Sequence, residues 1–216
     1  MKIIDQSVKI LRPSSPEEAL CGLKAIEYAG RNCYRSQDKM SENSHERFIS
    51  SLIKRGHGSP LEFEDMTVEI VTSRDVLAEI TRHRLASFAV QSQRYVLDDK
   101  DGDIEFIKPD YYIPQESLSL DAKKWCASRN WEQNVQNAEN DYKYQIQECG
   151  MSPQDARKIL PNSTKTIIVM KANIREWLHI FELRNSPAAY PEMRTMISMI
   201  INEFQRLYPG LYSEKE

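Results

Sequence analysis

The strongest constraint in this sequence is an alternation of period two. In "FEDMTVEIVTS", Phe63 to Ser73, the apolar Met66, Val68 and Ile70 alternate with Thr67 and Glu69, the pattern of a half-buried strand. "SRDVLAEITRHR" follows at once, with Val76, Leu77 and Ile80 on one side of a helix. A second strand-like run, "TKTIIVMKA", leads into "NIREWLHIFELRNS", where Ile174, Trp177, Leu178 and Phe181 form an apolar stripe. Strands and helices in such succession place the chain in the α+β class.

The remaining segments fit one domain of that class. "MKIIDQSVKILRP" is rich enough in β-branched residues for a strand, closed by Pro13. In "SSPEEALCGLKAIEYAGR", Ser15 caps, Pro16 takes the first turn and Glu18 completes a capping box. In "NSHERFISSLIKRGHG", Asn43 and Glu46 suggest another box, Phe48, Leu52 and Ile53 a shared face, and Gly56 a stop. Residues 97–120 read as polar and turn-rich. A long helix is expected over 121–148, carrying Trp131, Val135, Ala138 and Tyr142, and a short helix ending at Pro161 would fold back on it as a hairpin. "PEMRTMISMIINEFQRLYPG" is a further amphipathic helix. No internal repeat or interdomain linker is visible, so residues 1–216 read as one domain.

Composition narrows the function classes. The 216 residues carry a formal charge of −3, which speaks against a general nucleic-acid or membrane-surface binder. No apolar run approaches the roughly 18 residues of a membrane span, and the start lacks a signal-peptide centre. The four cysteines, Cys21, Cys33, Cys126 and Cys149, lack CxxC or metal-ligand spacing. They read as reduced thiols of an intracellular protein, either buried or incidental to the surface. No Walker loop, GxGxxG, HExxH or Cys/His metal set is present, so no metal is expected.

Against that acidic background, "ITRHRLASFAVQSQRY" gathers Arg82, His83, Arg84 and Arg94 around Ser87 and Ser92. Read as a helix end, Arg82 and His83 simply favour the dipole, and Glu79 can pair with either. Arginine forks, hydroxyls and the Gln93 amide also suit the phosphate and heterocyclic edges of a nucleotide. His83 would have its basicity lowered by neighbouring arginines. In the second segment Asn173 caps, with Glu176 as its box partner. Arg184 continues the apolar stripe there, and a cation in that position needs a counter-charge, a ligand or its own helix carbonyls. Arg175 and His179 lie on a neighbouring face. "GHGSPLEFED" presents His57 and Ser59 on a tight loop of the kind that can lay N–H groups against an anion. Arg157, in "ARKILP", reads as an exposed helix residue.

Arg82-His83-Arg84, seven residues, then Ser92 with Arg94-Tyr95 resembles the signature of the flavin-dependent thymidylate synthases. "GHGSPLEF", "ARKILP" and "NIREWLHIFELR" are similar to further elements of that family in the same order, so the resemblance runs from about residue 15 to 205. It implies an α+β fold with a central, mostly antiparallel sheet, flanking helices and a long helical hairpin, assembled as a homotetramer. It implies methylation of dUMP to dTMP with methylenetetrahydrofolate as carbon donor, FAD as cofactor and NADPH as reductant, in the cytoplasm of a cell or of a virus's host. Carried over by position, Ser59, Arg82, His83, Arg84, Asn173, Arg175 and His179 would contact FAD, with His57 and Glu62 in the same neighbourhood. Glu79, Arg82, Gln91, Ser92, Gln93, Arg94 and Arg157 would surround dUMP. Arg184 would be the catalytic residue, favouring ionisation of the pyrimidine at N3. The chain departs from the family in having Ala89, Val90 and Gln91 where a polar, acidic pair is frequent, and His179 where asparagine is frequent. Two other readings stand beside this one: a flavin-binding homologue that has lost dUMP methylation, and a nucleotide or single-stranded RNA binding module that stacks bases on Phe88 and Tyr95.

Overall fold

The computed structural model describes residues 1–93, 103–117 and 121–212. The first thirteen residues form two short strands in place of the single one expected. β1 (Lys2–Ile4) and β2 (Ser7–Arg12) join different sheets. β1 pairs in parallel with β5 (Glu105–Ile107), Ile3 opposite Phe106, a strand hidden in the region read as turn-rich. β2 lies at one edge of a four-stranded sheet of order β2-β3-β6-β4, with β3 (Asp65–Ser73), β6 (Lys165–Asn173) and β4 (Ala86–Val90).

β3 and β6 form the middle of this sheet, and each is followed without a break by a helix: α3 (Arg74–Ile80) and α6 (Ile174–Arg184). The two strand–helix units are laid out alike. Met66, Val68, Ile70 and Thr72 are buried on β3, and Thr166, Ile168, Met170 and Ala172 on β6. The first helical N–H of each unit donates beside the start of the other strand, Arg74 N to Asn162 O at 2.8 Å and Ile174 N to Glu64 O at 2.9 Å. That reciprocity makes the pair antiparallel.

The described residues divide into two compact units. One holds Met1–Ser7, Val71–Ile80 and residues from Val90 to Ile168. Its core packs Ile104 and Phe106 with Val135 and Tyr142 of α4 (Ala122–Gln147) and Ala156 of α5 (Pro153–Ala156). Ile159 and Leu160 join this core, which brings the chain after α4 back onto it as the expected hairpin.

The other unit holds Val8–Ile70, Thr81–Ala89 and the chain from Val169. It is built on α1 (Pro16–Asn32), α2 (Ser44–Lys54), α6 and α7 (Pro191–Leu207). Trp177 and Phe181 of α6 pack with Phe204 of α7 in an aromatic stack that continues to Tyr208, and Trp177 Nε1 donates to Met66 O at 3.0 Å. Ser15 caps α1 as expected, accepting from Glu18 N. Asn43 makes no side-chain cap on α2. Ser44, the first helical residue, accepts from Ser41 N and donates to the buried Glu27. The inward face of α2 is accordingly His45, Ile49 and Leu52, rotated from the Phe48, Leu52 and Ile53 face expected.

Candidate functional site

Three stretches meet around α6. Gly56 ends the turn after α2 with φ +71°, a conformation that suits glycine. His57 N then donates to Leu52 O, and Ser59–Phe63 wind into a 3₁₀ turn with Pro60 at its start. Gly58 lies directly against the Arg175 side chain, and a Cβ there would stand 2.9 Å from Arg175 Nε. Arg175, one residue into α6, pairs across the loop with Glu62 at 2.7 Å. His57 Nδ1 meets the Tyr34 hydroxyl at 3.0 Å. The result is a cavity of about 300 Å³ whose walls include Tyr34, Cys33, His57, Ser59 and Arg175.

Asn173 caps α6 as expected, its Oδ1 accepting from Glu176 N at 2.9 Å. Glu176, expected only as the second half of a capping box, sends its carboxylate elsewhere. Its Oε1 lies 3.4 Å from Nδ1 of His83. His83 Nε2 accepts from Arg184 Nε at 3.0 Å. The line Glu176–His83–Arg184 is therefore continuous, and His83 and Glu176 are each 6 % exposed. Burial, then the nearby Arg184 guanidinium and His179, hold the His83 pKa down at about 4. Sequence alone pointed to the neighbouring arginines for that depression. Burial is the larger cause, and the arginine concerned is Arg184, a hundred residues away.

This geometry exists because the basic segment is not helical to its end. α3 stops at Ile80, short of Arg82, and the chain turns through residues 81–85 before β4 begins at Ala86. The turn carries His83 inward and leaves Arg82 and Arg84 exposed. Arg184 is half-buried at the end of α6. Arg175 and His179 share the helix but serve different places. Arg175 lines the cavity, and the exposed His179 stands edge-on to His83 with ring centres 6.3 Å apart.

Most residues expected around a nucleotide belong to the other unit. Glu79 is half-buried in the last turn of α3. Gln91 is pinned through its backbone: its N–H donates to Ile167 O at 2.9 Å, and its C=O accepts from Arg74 Nη2 at 3.4 Å. Gln91 Oε1 is buried with no hydrogen-bond partner among the described residues. Ser92 is half-buried and Gln93 buried. Arg157 is half-buried at the head of a 3₁₀ turn, Arg157–Ile159, and not an exposed helix residue. Arg94 lies outside the described residues, as does Tyr95.

The model of the family of thymidylate synthase complementing proteins matches residues 20–210. The chain belongs to the flavin-dependent thymidylate synthase family. Members similar to it include the flavin-dependent thymidylate synthase of Pyrococcus furiosus, 32% identical over 192 residues that cover 88% of this chain and 75% of the relative. A probable flavin-dependent thymidylate synthase of Mycobacterium phage D29 is 30% identical over 198 residues, covering 87% of this chain and 81% of its own. Among solved structures, the UMP/dUMP methylase PolB of Streptomyces cacaoi bound with 5-Br dUMP superposes with a TM-score of 0.80 at 21% identity, over 98% of this chain and 95% of that one. That likeness speaks to the fold alone.

Sequence reasoning missed some of the residues assembled here. Cys33 and Tyr34 line the cavity, although Cys33 read only as a reduced thiol, either buried or incidental to the surface. Glu176 looked like a capping residue, and nothing in the sequence singled out Arg74. Tyr34 and Cys33 lie just past α1, so only the fold brings them to the Gly-His loop. All four cysteines are exposed, so the buried-thiol alternative falls away. Among the described residues, no helix is long and apolar enough to cross a membrane.

Proposed function

We propose that the protein methylates dUMP to dTMP with methylenetetrahydrofolate as carbon donor, using FAD that NADPH reduces. The observation that carries this reading is the fixed arginine at the end of α6. A half-buried Arg184, tethered through Nε to a neutral imidazole, suits an anion that forms on a bound ring. Its cation favours ionisation at the pyrimidine N3, which raises electron density at the ring carbon to be methylated.

The cavity beside α6 fits a flavin nucleotide in its chemistry. His57, Ser59 and Arg175 offer an imidazole, a hydroxyl and a guanidinium around one concavity, the donor set a pyrophosphate needs. Arg82 and Arg84, exposed on the turn before β4, add two cations, and His179, Glu62 and the Asn173 amide complete the proposed cofactor set. The buried His83 backs that set without offering a ring nitrogen, since these face Glu176 and Arg184. Bound flavin would supply the hydride, while the protein binds, orients and polarises. The nucleotide would take Glu79, Arg82, Gln91, Ser92, Gln93, Arg94 and Arg157, and the buried Gln91 Oε1, which has no partner among the described residues, supports a donor arriving from a ligand. The reading includes residues 1–216 acting as one family domain, assembly into a homotetramer, and a place in the cytoplasm of a cell or a host. Light scattering tests the assembly, with a mass several times that of one chain expected.

The visible spectrum decides the chemistry. Purified protein supplemented with FAD is expected to show flavin bands that bleach on adding NADPH. dTMP should then appear once dUMP and methylenetetrahydrofolate are present. UMP is run beside dUMP, because the structural neighbour is a UMP/dUMP methylase. A protein that stays colourless with FAD would overturn the proposal. A flavoprotein that makes no dTMP would point to the lapsed homologue.

A further inference from the structure

Glu176 is assigned no part in the chemistry proposed above, yet it is a carboxylate held in the protein interior. Burying a carboxylate is costly unless it is paired and hydrogen-bonded. Its place in the first turn of α6 offsets part of that cost, since the helix N-terminus favours negative charge. What remains to be explained is why the side chain points at His83.

The answer lies in the proton inventory of the three groups. A carboxylate only accepts, the arginine Nε–H only donates, and a neutral imidazole has one N–H and one lone pair. Glu176 Oε1 faces Nδ1 at 3.4 Å, so Nδ1 carries the hydrogen and Nε2 is bare. A bare Nε2 is what Arg184 Nε requires at 3.0 Å. With the opposite tautomer two N–H groups would face each other, and the guanidinium would swing away. The carboxylate therefore selects the tautomer, and the tautomer sets the plane of the guanidinium.

We propose that Glu176 is a positioning residue for Arg184, acting through the tautomer of His83 to aim the guanidinium at the nucleotide ring. The inference rests on the role given to Arg184 under the proposed function. It also separates His83 from its exposed neighbours Arg82 and Arg84: they stand in solvent, whereas its ring nitrogens face Glu176 and Arg184.

The test uses FAD-loaded protein labelled with ¹⁵N-histidine. The chain has only four histidines, and the His83 signals are assigned by their loss in His83→Gln. Wild type is expected to show His83 protonated at Nδ1, and Glu176→Leu to shift it toward the Nε2–H form. Glu176→Leu should raise the KM for dUMP about tenfold, with kcat falling and flavin content unchanged. Glu176→Gln, whose Oε1 still accepts from Nδ1–H, should restore dUMP KM to near the wild-type value. A wild-type His83 protonated at Nε2 overturns the inference, and so does a Glu176→Leu protein with native dUMP KM. A purely structural Glu176 would lower melting temperature and flavin content together in Glu176→Leu and leave the tautomer alone, which also overturns it. Wild type that neither binds nor turns over dUMP overturns the functional reading and the inference with it. Normal wild-type turnover beside an unaffected Glu176→Leu removes the inference alone.

Discussion

Arg184 and Gly22 show how differently two side-chain changes act in one fold. Arg184 is half-buried and tethered by Nε to His83, so Arg184→Ala removes a cation without opening the aromatic core of Trp177, Phe181 and Phe204. The expected protein is yellow with FAD and melts near the wild-type temperature. Its dTMP formation should fall by about two to three orders of magnitude, the scale on which removing one preorganised electrostatic group acts. Product analysis by chromatography checks this, and near-normal turnover would end the polarising role. Gly22 sits in α1 where an added Cβ would lie on the Glu64 carboxylate. Glu64 is buried, accepts from the Tyr208 hydroxyl at 2.7 Å, and has its pKa raised by burial. It cannot step aside without breaking that bond. Gly22→Ala should therefore cost about 2 kcal/mol, within the range for overpacking a filled interior, measured as a shift of the urea midpoint. The sequence shows Gly22 as a weak spot in a helix. Only the structure shows the carboxylate above it.

α6 is the element on which the proposed site depends, because one helix carries Arg175 to the cavity, Glu176 to His83, and Arg184 to the far end of the line. Its N-cap is legible in the sequence and present in the structure, with Asn173 Oδ1 accepting from Glu176 N. Asn173→Ala should cost about 1 kcal/mol of stability and loosen flavin retention, since the first turn orients Arg175. α2 supplies the contrast. Asn43 stands at the same kind of position but makes no side-chain cap, so Asn43→Ala should change stability by only about 0.5 kcal/mol or less. Parallel denaturation curves compare the pair, and equal losses would refute the distinction. The difference was not legible in the motif, because both segments read N-x-x-E. At α2 Ser44 is drawn to Glu27 across 17 residues, and a partner that distant leaves no trace in a local pattern.

For the whole molecule, the buried His83 couples stability to pH. Its pKa falls from the ordinary 6.5 to about 4 on folding, so between those values the unfolded chain binds the proton and the folded one does not. Stability from this group is complete above pH 6.5 and is lost as pH falls toward 4, by about 3 kcal/mol in all. Glu64 acts in the opposite sense: its raised pKa stabilises at low pH, and the contribution fades as pH rises through the folded value. His83→Gln keeps Glu64 and removes only the histidine. From about pH 7 to 4.5 wild type should lose about 2–3 kcal/mol more than His83→Gln, measured by urea unfolding at each pH, and parallel profiles would contradict it. Local pattern was enough for the strands around Met66–Ile70 and Thr164–Ala172, the helices that follow them, the caps at Ser15 and Asn173, and the family signature. Each of those rests on periodicities or short motifs within a few residues. Only long-range packing fixed where the helix stops at Ile80, that Glu176 serves His83, that Cys33 and Tyr34 line the cavity, and that β5 forms at all. Those outcomes depend on groups distant in sequence competing for the same burial and the same proton, and local pattern does not encode that competition.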